Sequence, residues 1–495
     1  MRLSEILSVL DVISVENFID HEITGIAYDS RTLLPGNVFF CIKGLVTDGH
    51  YYASEAVEKG AAAIFTERLL DDELKEDIPV VNVPDTRYAM ALCSAHFYGY
   101  PSKKLTLIGV TGTNGKTTTT YLVENCMRFG GRKTGLIGTV EYRIGDRVEP
   151  VTRTTPESVD LQKMLKDMVD EKVECVAMEV SSHGLELRRV LGCEFNGVVF
   201  TNLTTDHLDF HLSIEDYFAA KRRLFVEEHY GTGRIAFINT DDPFGKRIFK
   251  EIKLEKLSYG VESPADYRAS GVEIDSSGNR FFIKHKGERY EARSLLKGGF
   301  NVYNCLAAFC VCHRFGLDVD VILRGIETYQ GVPGRFENIE CGQEFAVIVD
   351  YAHTPDGLKN VLEAARQVTE KRVICVFGCG GDRDKSKRPI MGEVCARLSD
   401  ICVITSDNPR SEDPMDIIEM ILEGIKGKCP EENYVVEPDR RKAIFLAVKK
   451  AEPGDLVLIA GKGHERGQIF SDRVVPFDDR EVAREAIREV LGGKS

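Results

Sequence analysis

Short apolar runs, each closed by a cluster of Gly, Ser, Thr, Asp or His, recur along the whole chain. The first hundred residues hold "GIAYDSR", "NVFFCIKG", "AAAIFTE" and "IPVVNVP", with the helical stretch "YYASEAVEKG" among them. "YGYPSKK" then breaks the pattern with Gly and Pro. A second series follows: "LTLIGVTG", "VECVAMEVSS", "FNGVVFTNLTTDH" and "GRIAFINTDDP". After "YQGVPGRFE" comes a third: "AVIVDYAHTPDG", "RVICVFGCGGDRD", "ICVITSDNPRSEDP" and "DLVLIAGKGHE". Runs of strand length separated by helical sequence predict mostly parallel sheets with crossover helices. The expected architecture is α/β with three domains, at residues 1–102, 103–333 and 334–495. Ligands of open α/β sheets bind beyond the carboxyl ends of the strands, where the polar clusters fall here. The second and third sheets are expected to face one shared site.

The length of 495 residues agrees with several domains. A net charge of -14 argues against nucleic acid or an anionic membrane as partner. No apolar stretch reaches the roughly 18 residues of a membrane span. Acidic residues interrupt the amino-terminal apolar positions, so no signal or transit peptide is read there. With 14 cysteines scattered through apolar runs, a cytoplasmic protein with reduced thiols is expected. Cys310/Cys312 and Cys375/Cys379 lack the CxxC spacing of a structural zinc site.

The stretch "GVTGTNGKTTTT" has the chemistry of a phosphate loop. Glycines let the backbone turn and aim N–H groups at an anion. Lys116 neutralises phosphate oxygens, Thr117 offers a hydroxyl to Mg²⁺, and a helix starting near Thr117 adds its positive end. The strict GxxxxGK[ST] pattern needs glycine at 110, where Val110 stands. Two later strand ends offer metal support: Glu179 in "AMEVSSHG", and Asp206, His207 and His211 in "TNLTTDHLDFH". The His207/His211 pair also has the spacing of half a zinc site, without the Glu of HExxH; hydrogen-bonded turn residues are the plainer alternative.

"GTNGKTTT", "EVSSHGLE", "TNLTTDHLDFH", "GGFNVYNCLAA", "GVPGRFE" and "DYAHTPDGL", in this order, resemble the Mur ligases, ATP-dependent amide-forming enzymes of peptidoglycan synthesis. The family's GTNGKT loop accounts for Val110. "YDSR", "VTRTTPES", "DNPR" and "GKGHE" resemble the branch that adds meso-2,6-diaminopimelate to a UDP-linked muramoyl dipeptide. The resemblance implies an amino-terminal domain for the uridine nucleotide, a central P-loop ATPase domain, and a Rossmann-like carboxy-terminal domain that brings the amino acid. It implies a monomer, using ATP and Mg²⁺, that activates the D-glutamate γ-carboxylate as an acyl phosphate.

Residue roles follow from the same resemblance. ATP is held by Gly112, Thr113, Asn114, Gly115, Lys116, Thr117 and Thr118, with Asn301, Asn304, Arg335 and Asp350. Thr117 and Glu179 hold one Mg²⁺; His207 helps hold a second. Lys116, His207 and Lys221 are catalytic, Lys221 as a CO₂-derived carbamate that ligates metal. From charge pattern alone, Lys221 reads as a solvated surface residue, and Asn301 and Asn304 read as helix caps. Ser30, Thr154, Thr155, Ser181 and Arg189 bind the uridine substrate; Leu187 stands where relatives carry a polar contact. Arg383, Asp407, Asn408, Pro409, Arg410, Gly461 and Glu465 bind diaminopimelate. Arg410 can fork onto the carboxylate that distinguishes diaminopimelate from lysine; a proline-punctuated surface turn is the alternative. Competing functions are a lysine-adding ligase, a folate polyglutamate-type ligase, which lacks the "YDSR" domain, and a P-loop switch without ligation.

Overall fold

The computed structural model describes residues 1–44, 47–68, 70, 78–151, 153–275 and 277–493. Each series of apolar runs forms its own sheet. The first sheet has the order Ser14–Glu16, Val80–Asn82, Ala63–Thr66, Asn37–Phe40, Gly25–Ala27. Its pairings are parallel except at Ser14–Glu16.

In the second sheet, Thr106–Thr111 lies between Cys175–Glu179 and Gly197–Phe200, parallel to both. Residues 107–111, 175–179 and 197–200 are buried throughout, so these strands are apolar on both faces, as parallel strands under helices must be. Ile235–Asn239 and Lys256–Gly260 continue the parallel part. The far edge differs. Tyr267–Asp275, Gly278–His285 and Glu288–Ser294 form an antiparallel meander with alternating burial. The apolar-run pattern does not reveal it, because one face is solvated and every second residue is polar.

The third sheet runs Glu337–Asn338, Ala346–Asp350, Leu456–Ala460, Val373–Phe377, Ile401–Ile404, Tyr434–Val436, parallel except at Glu337–Asn338. Helices cover both faces of the second and third sheets, each face with its own apolar core. The cysteines are buried or half-buried free thiols. Among the described residues no helix is long and apolar enough to cross a membrane.

Side chains tie the first domain to the second. Tyr28 Oη donates to Asp160 Oδ2 at 2.6 Å, and Arg188 Nε to Asp85 Oδ2 at 2.8 Å. The carboxyl ends of Thr106–Thr111, Cys175–Glu179 and Gly197–Phe200 meet those of Ala346–Asp350, Ile401–Ile404 and Leu456–Ala460 around two adjoining cavities.

Candidate active site

The loop after Thr106–Thr111 can be built only with glycine at two places. Gly112 has φ +153 and Gly115 φ +84; a Cβ would meet Thr201 Oγ1 at 1.9 Å and Asn304 Oδ1 at 2.5 Å. The next strand end holds the loop. Thr113 N donates to Asn202 O and Asn114 N to Asn202 Oδ1, both at 2.9 Å, while Thr201 Oγ1 donates to Asn114 O at 2.6 Å. The helix Lys116–Phe129 begins one residue before the expected Thr117 and points its amino end into the loop.

Lys116 Nζ donates to Gly112 O at 2.9 Å and Thr113 O at 2.8 Å. Lys221, on the helix Ile214–Val226, donates to the same Gly112 oxygen at 2.8 Å. Lys221 is 1% exposed, so the surface reading of this lysine is wrong. Its charge pattern misleads because the neighbouring Arg222 and Arg223 face outward while position 221 faces the loop. Burial, and then the charge of Lys116, push the Lys221 pKa well below the usual lysine range. Burial likewise lowers that of Lys116. Two lysine amino groups meet at one carbonyl, and their donors form a place prepared for an anion.

Thr117 Oγ1 donates to Glu179 Oε2 at 3.0 Å. Glu179 also accepts from Thr139 N at 2.7 Å and Thr139 Oγ1 at 3.0 Å, which fixes its carboxylate at the strand end. Arg335 Nη2 donates to Thr117 Oγ1 at 3.2 Å and stacks over Tyr351 at 4.3 Å. His207 has φ 55, and burial holds its imidazole well below the ordinary pKa despite Asp206 at 3.4 Å. Its ring is therefore neutral and able to donate a lone pair. A buried hydroxyl and carboxylate in contact, with a neutral imidazole on the same cavity, suit a hard divalent cation that takes its remaining ligands from phosphate and water. Among the described residues, no three His, Cys, Asp or Glu side chains form a metal cage of their own, and the His207/His211 zinc alternative gains no support.

The first cavity, of about 370 Å³, is lined by Thr113 to Thr118, Asn301, Asn304, Arg335 and Asp350. The asparagines are not caps. The helix Gly299–Arg314 is capped by Gly298, and Asn304 Nδ2 donates to Asn301 Oδ1 at 2.9 Å within it. Asp350 accepts from Phe336 N at 2.6 Å and Ala352 N at 2.7 Å, and burial raises its pKa. Asp356 is a residue the sequence reading passes over. Its Oδ2 accepts from Asn114 Nδ2 at 2.8 Å and Thr204 Oγ1 at 3.1 Å, joining the third domain to the phosphate loop. Only the fold reveals that contact, across 242 residues of chain.

The second cavity, of about 550 Å³, is lined by Arg383, Asp407, Asn408, Arg410, Gly461 and Glu465. Arg410 sits at φ 52, with its N–H bonded to Ile469 O at 3.0 Å and Nη1 to Gly381 O at 2.7 Å. Burial lowers its pKa first, and the charge of Arg383 second. Asp407 Oδ2 is buried with no hydrogen-bond partner among the described residues. A free acceptor beside two guanidinium groups matches an ammonium beside a carboxylate. Pro409 fixes the approach of this loop to the next: a Cβ on Gly381 would stand 1.9 Å from Pro409 O.

Gly461 has φ +118, and a Cβ there would lie 2.6 Å from Asp407 Oδ2. Gly461→Ala is expected to raise the amino-acid KM about tenfold or more and leave the ATP KM within about twofold; steady-state kinetics with each substrate varied checks this. Glu412 anchors the Arg383 loop. It accepts from Asp382 N at 2.6 Å and from the fully buried Arg388 at 2.8 and 3.0 Å. These bonds, led by that to Arg388, lower the Glu412 pKa from 4.5 to about 2. The carboxylate thus stabilises the fold above about pH 4.5, and this contribution is lost as pH falls toward about 2. Glu412→Gln strands Arg388, so a loss of about 3 kcal/mol at pH 7, shrinking in acid, is expected in urea unfolding.

Thr154, Thr155, Ser181 and Arg189 gather beside Glu179. Thr154 Oγ1 lies 3.1 Å from Thr139 Oγ1, Thr155 Oγ1 donates to Glu179 O at 2.9 Å, and Ser181 N donates to Thr155 Oγ1 at 3.0 Å. Arg189 Nη1 donates to Thr155 O at 3.2 Å and pairs with Glu157, which Arg87 and Arg153 also engage. Thr152 of "VTRTTPES" lies outside the described residues. Ser30 is apart from this group, on Glu55 at 3.0 Å and Lys59 at 2.9 Å, and lines neither cavity.

Comparison with known proteins agrees with this geometry. Residues 22–98 match the model "Mur ligase family, catalytic domain", 110–312 "Mur ligase middle domain", and 334–463 "Mur ligase, glutamate ligase domain". The chain is 47% identical over 488 residues to the UDP-N-acetylmuramoyl-L-alanyl-D-glutamate–2,6-diaminopimelate ligase of Syntrophomonas wolfei, covering 99% of each. It is 46% identical over 493 residues to the ligase of the same name from Geobacillus thermodenitrificans, covering 99% of this chain and all of that one. A solved ligase of that name superposes with a TM-score of 0.67 at 32% identity, over 94% of this chain and 95% of the other. The MurF ligase of Thermotoga maritima in complex with ADP shares the fold, with a TM-score of 0.65 at 20% identity over 97% of this chain and 100% of its own. Matched along nearly its whole length, the chain belongs to the Mur ligase family.

Proposed function

We propose that this protein joins meso-2,6-diaminopimelate to the D-glutamate γ-carboxylate of UDP-N-acetylmuramoyl-L-alanyl-D-glutamate, converting ATP to ADP and phosphate. The observation that carries this reading is the junction of the two cavities. Asp206, His207, Tyr351, His353 and Thr354 line both. A nucleotide on the phosphate loop and an amino acid at Arg410 therefore approach one point from opposite sides.

A carboxylate oxygen is a poor leaving group. The γ-carboxylate attacks the γ-phosphorus and ADP departs, leaving an acyl phosphate. The amine then attacks the acyl carbon, loses a proton, and expels phosphate. All partners in the first step are anions, so catalysis is mainly charge neutralisation and positioning. Lys116 and the amino end of its helix face the transferred phosphate. Thr154, Thr155, Ser181 and Arg189 hold the peptide end beside Glu179. Asp407 and Glu465 take the distal ammonium, with Asn408 bracing Glu465, and Arg383 and Arg410 take the distal carboxylate. Arg335 and Asp350 close the third domain over the nucleotide, with Asn301 and Asn304 below it.

Thr117, Glu179 and His207 would hold Mg²⁺, which supplies charge neutralisation to the phosphates when bound. Lys221 fits a carbamate: its amine is buried and disposed to be neutral, the form that adds to CO₂. The modified side chain would offer oxygen donors where the amine now lies on Gly112 O beside Lys116. The substrates fit cytoplasmic synthesis of a cell-wall precursor. Omitting each substrate in turn tests the reading: ADP and phosphate form together only when the dipeptide, amino acid and ATP are all present. Phosphate release without the dipeptide counts against it.

A further inference from the structure

Lys462 follows Gly461 after the strand Leu456–Ala460, and its side chain is 0% exposed, against 32% for Glu465. Gly461 and Glu465 line the amino-acid cavity; Lys462 stands behind them. Its Nζ donates to Asn408 Oδ1 at 2.8 Å and to Glu465 Oε2 at 2.9 Å. Asn408 Nδ2 donates to the same Oε2 at 2.9 Å, and Ile469 N donates to Asn408 Oδ1 at 3.0 Å. With two donors on Oδ1, the amide has a single orientation, and Nδ2 must face Glu465. Both contacts on the carboxylate fall on Oε2. Burying an ammonium is unfavourable unless it is paired and hydrogen-bonded. A scaffold needing only to fill this space would use an apolar side chain. The charge instead serves two groups that face the cavity, as does Asp407, whose Oδ2 has no hydrogen-bond partner among the described residues.

We propose that Lys462 is a positioning residue for the incoming amino acid: from behind the wall it orients Glu465, directly and through Asn408, so that Glu465 and Asp407 present fixed acceptors to the distal ammonium beside Arg410. The inference rests on the ligase reading above. Its specific content is that Lys462 never touches substrate and acts through Glu465.

A double-mutant cycle tests this. Lys462→Met removes the charge at similar volume. The amino-acid KM should rise about tenfold or more, while the KM values for ATP and the uridine dipeptide stay within about twofold. The Lys462→Met/Glu465→Gln double variant should be no weaker for the amino acid than Glu465→Gln alone, because the first substitution removes only what acts through the second. Additive losses, or equal rises in all three KM values, overturn the proposal. ADP binding at wild-type affinity verifies folding. If Lys462→Met fails that check, the same cycle with Lys462→Gln, which keeps a donor, carries the test with the same expected non-additivity. A wild-type enzyme that does not use diaminopimelate would sink the ligase reading itself; use of diaminopimelate with an additive cycle sinks only the role of Lys462.

Discussion

Lys116→Ala is expected to lower phosphate transfer by about 10³-fold or more while the uridine substrate still binds. Lys116 lies on Gly112 O and Thr113 O of the phosphate loop, and the proposed mechanism has it turn from these carbonyls to phosphate. Lys221 is not expected to replace it, being buried on another helix with its amine on Gly112 O. The groups assigned to the uridine substrate, Thr155, Ser181 and Arg189, bond to one another and to Glu179, so truncating Lys116 leaves them in place. The substitution also removes the charge that opposes Lys221. Thermal stability should therefore be unchanged or slightly higher. Single-turnover phosphate release and titration of the uridine dipeptide separate these effects. Activity within about tenfold of wild type would remove Lys116 from the mechanism.

Arg410→Lys is expected to raise the diaminopimelate KM about 100-fold, with the ATP KM nearly unchanged. The charge survives, but the planar fork that grips a carboxylate with two parallel N–H bonds does not. Backbone strain does not confuse the result, because arginine and lysine are equally disfavoured at φ 52. Arg383 remains as the second cation, so binding weakens rather than vanishes. An unchanged KM would mean that Arg383 alone reads the distal carboxylate.

The parts of this account that were legible in the sequence are those where chemistry and strand end coincide. "GTNGKTT", "AMEV", "SDNPR" and "GKGHE" each close a buried parallel strand, and the structure brings all four to the two cavities. What was not legible depends on contacts distant in sequence. The outward meander Tyr267–Ser294 has no continuous apolar run. Asp356 meets Asn114 only across the domain junction, and Arg440 meets Asp479 at 2.7 and 2.8 Å only when the third domain folds. Lys221 looked solvated because a charged helix does not disclose which of its charges faces inward. Lys462 lies inside "GKGHE", between the Gly and Glu that line the cavity. Its burial, not its position in the motif, marks it.

The measurement that tests the central claim most directly is ATP-dependent phosphate release with the uridine-linked muramoyl dipeptide, comparing meso-diaminopimelate, L-lysine and no amino acid. The site of Arg410, Arg383 and Asp407 predicts release with diaminopimelate and a kcat/KM for lysine lower by about 10²-fold or more, because lysine offers no carboxylate to the half-buried Arg410 and the exposed Arg383. Equal release with lysine would contradict the assignment of Arg410, and release indifferent to amino acid and dipeptide would contradict the ligase itself.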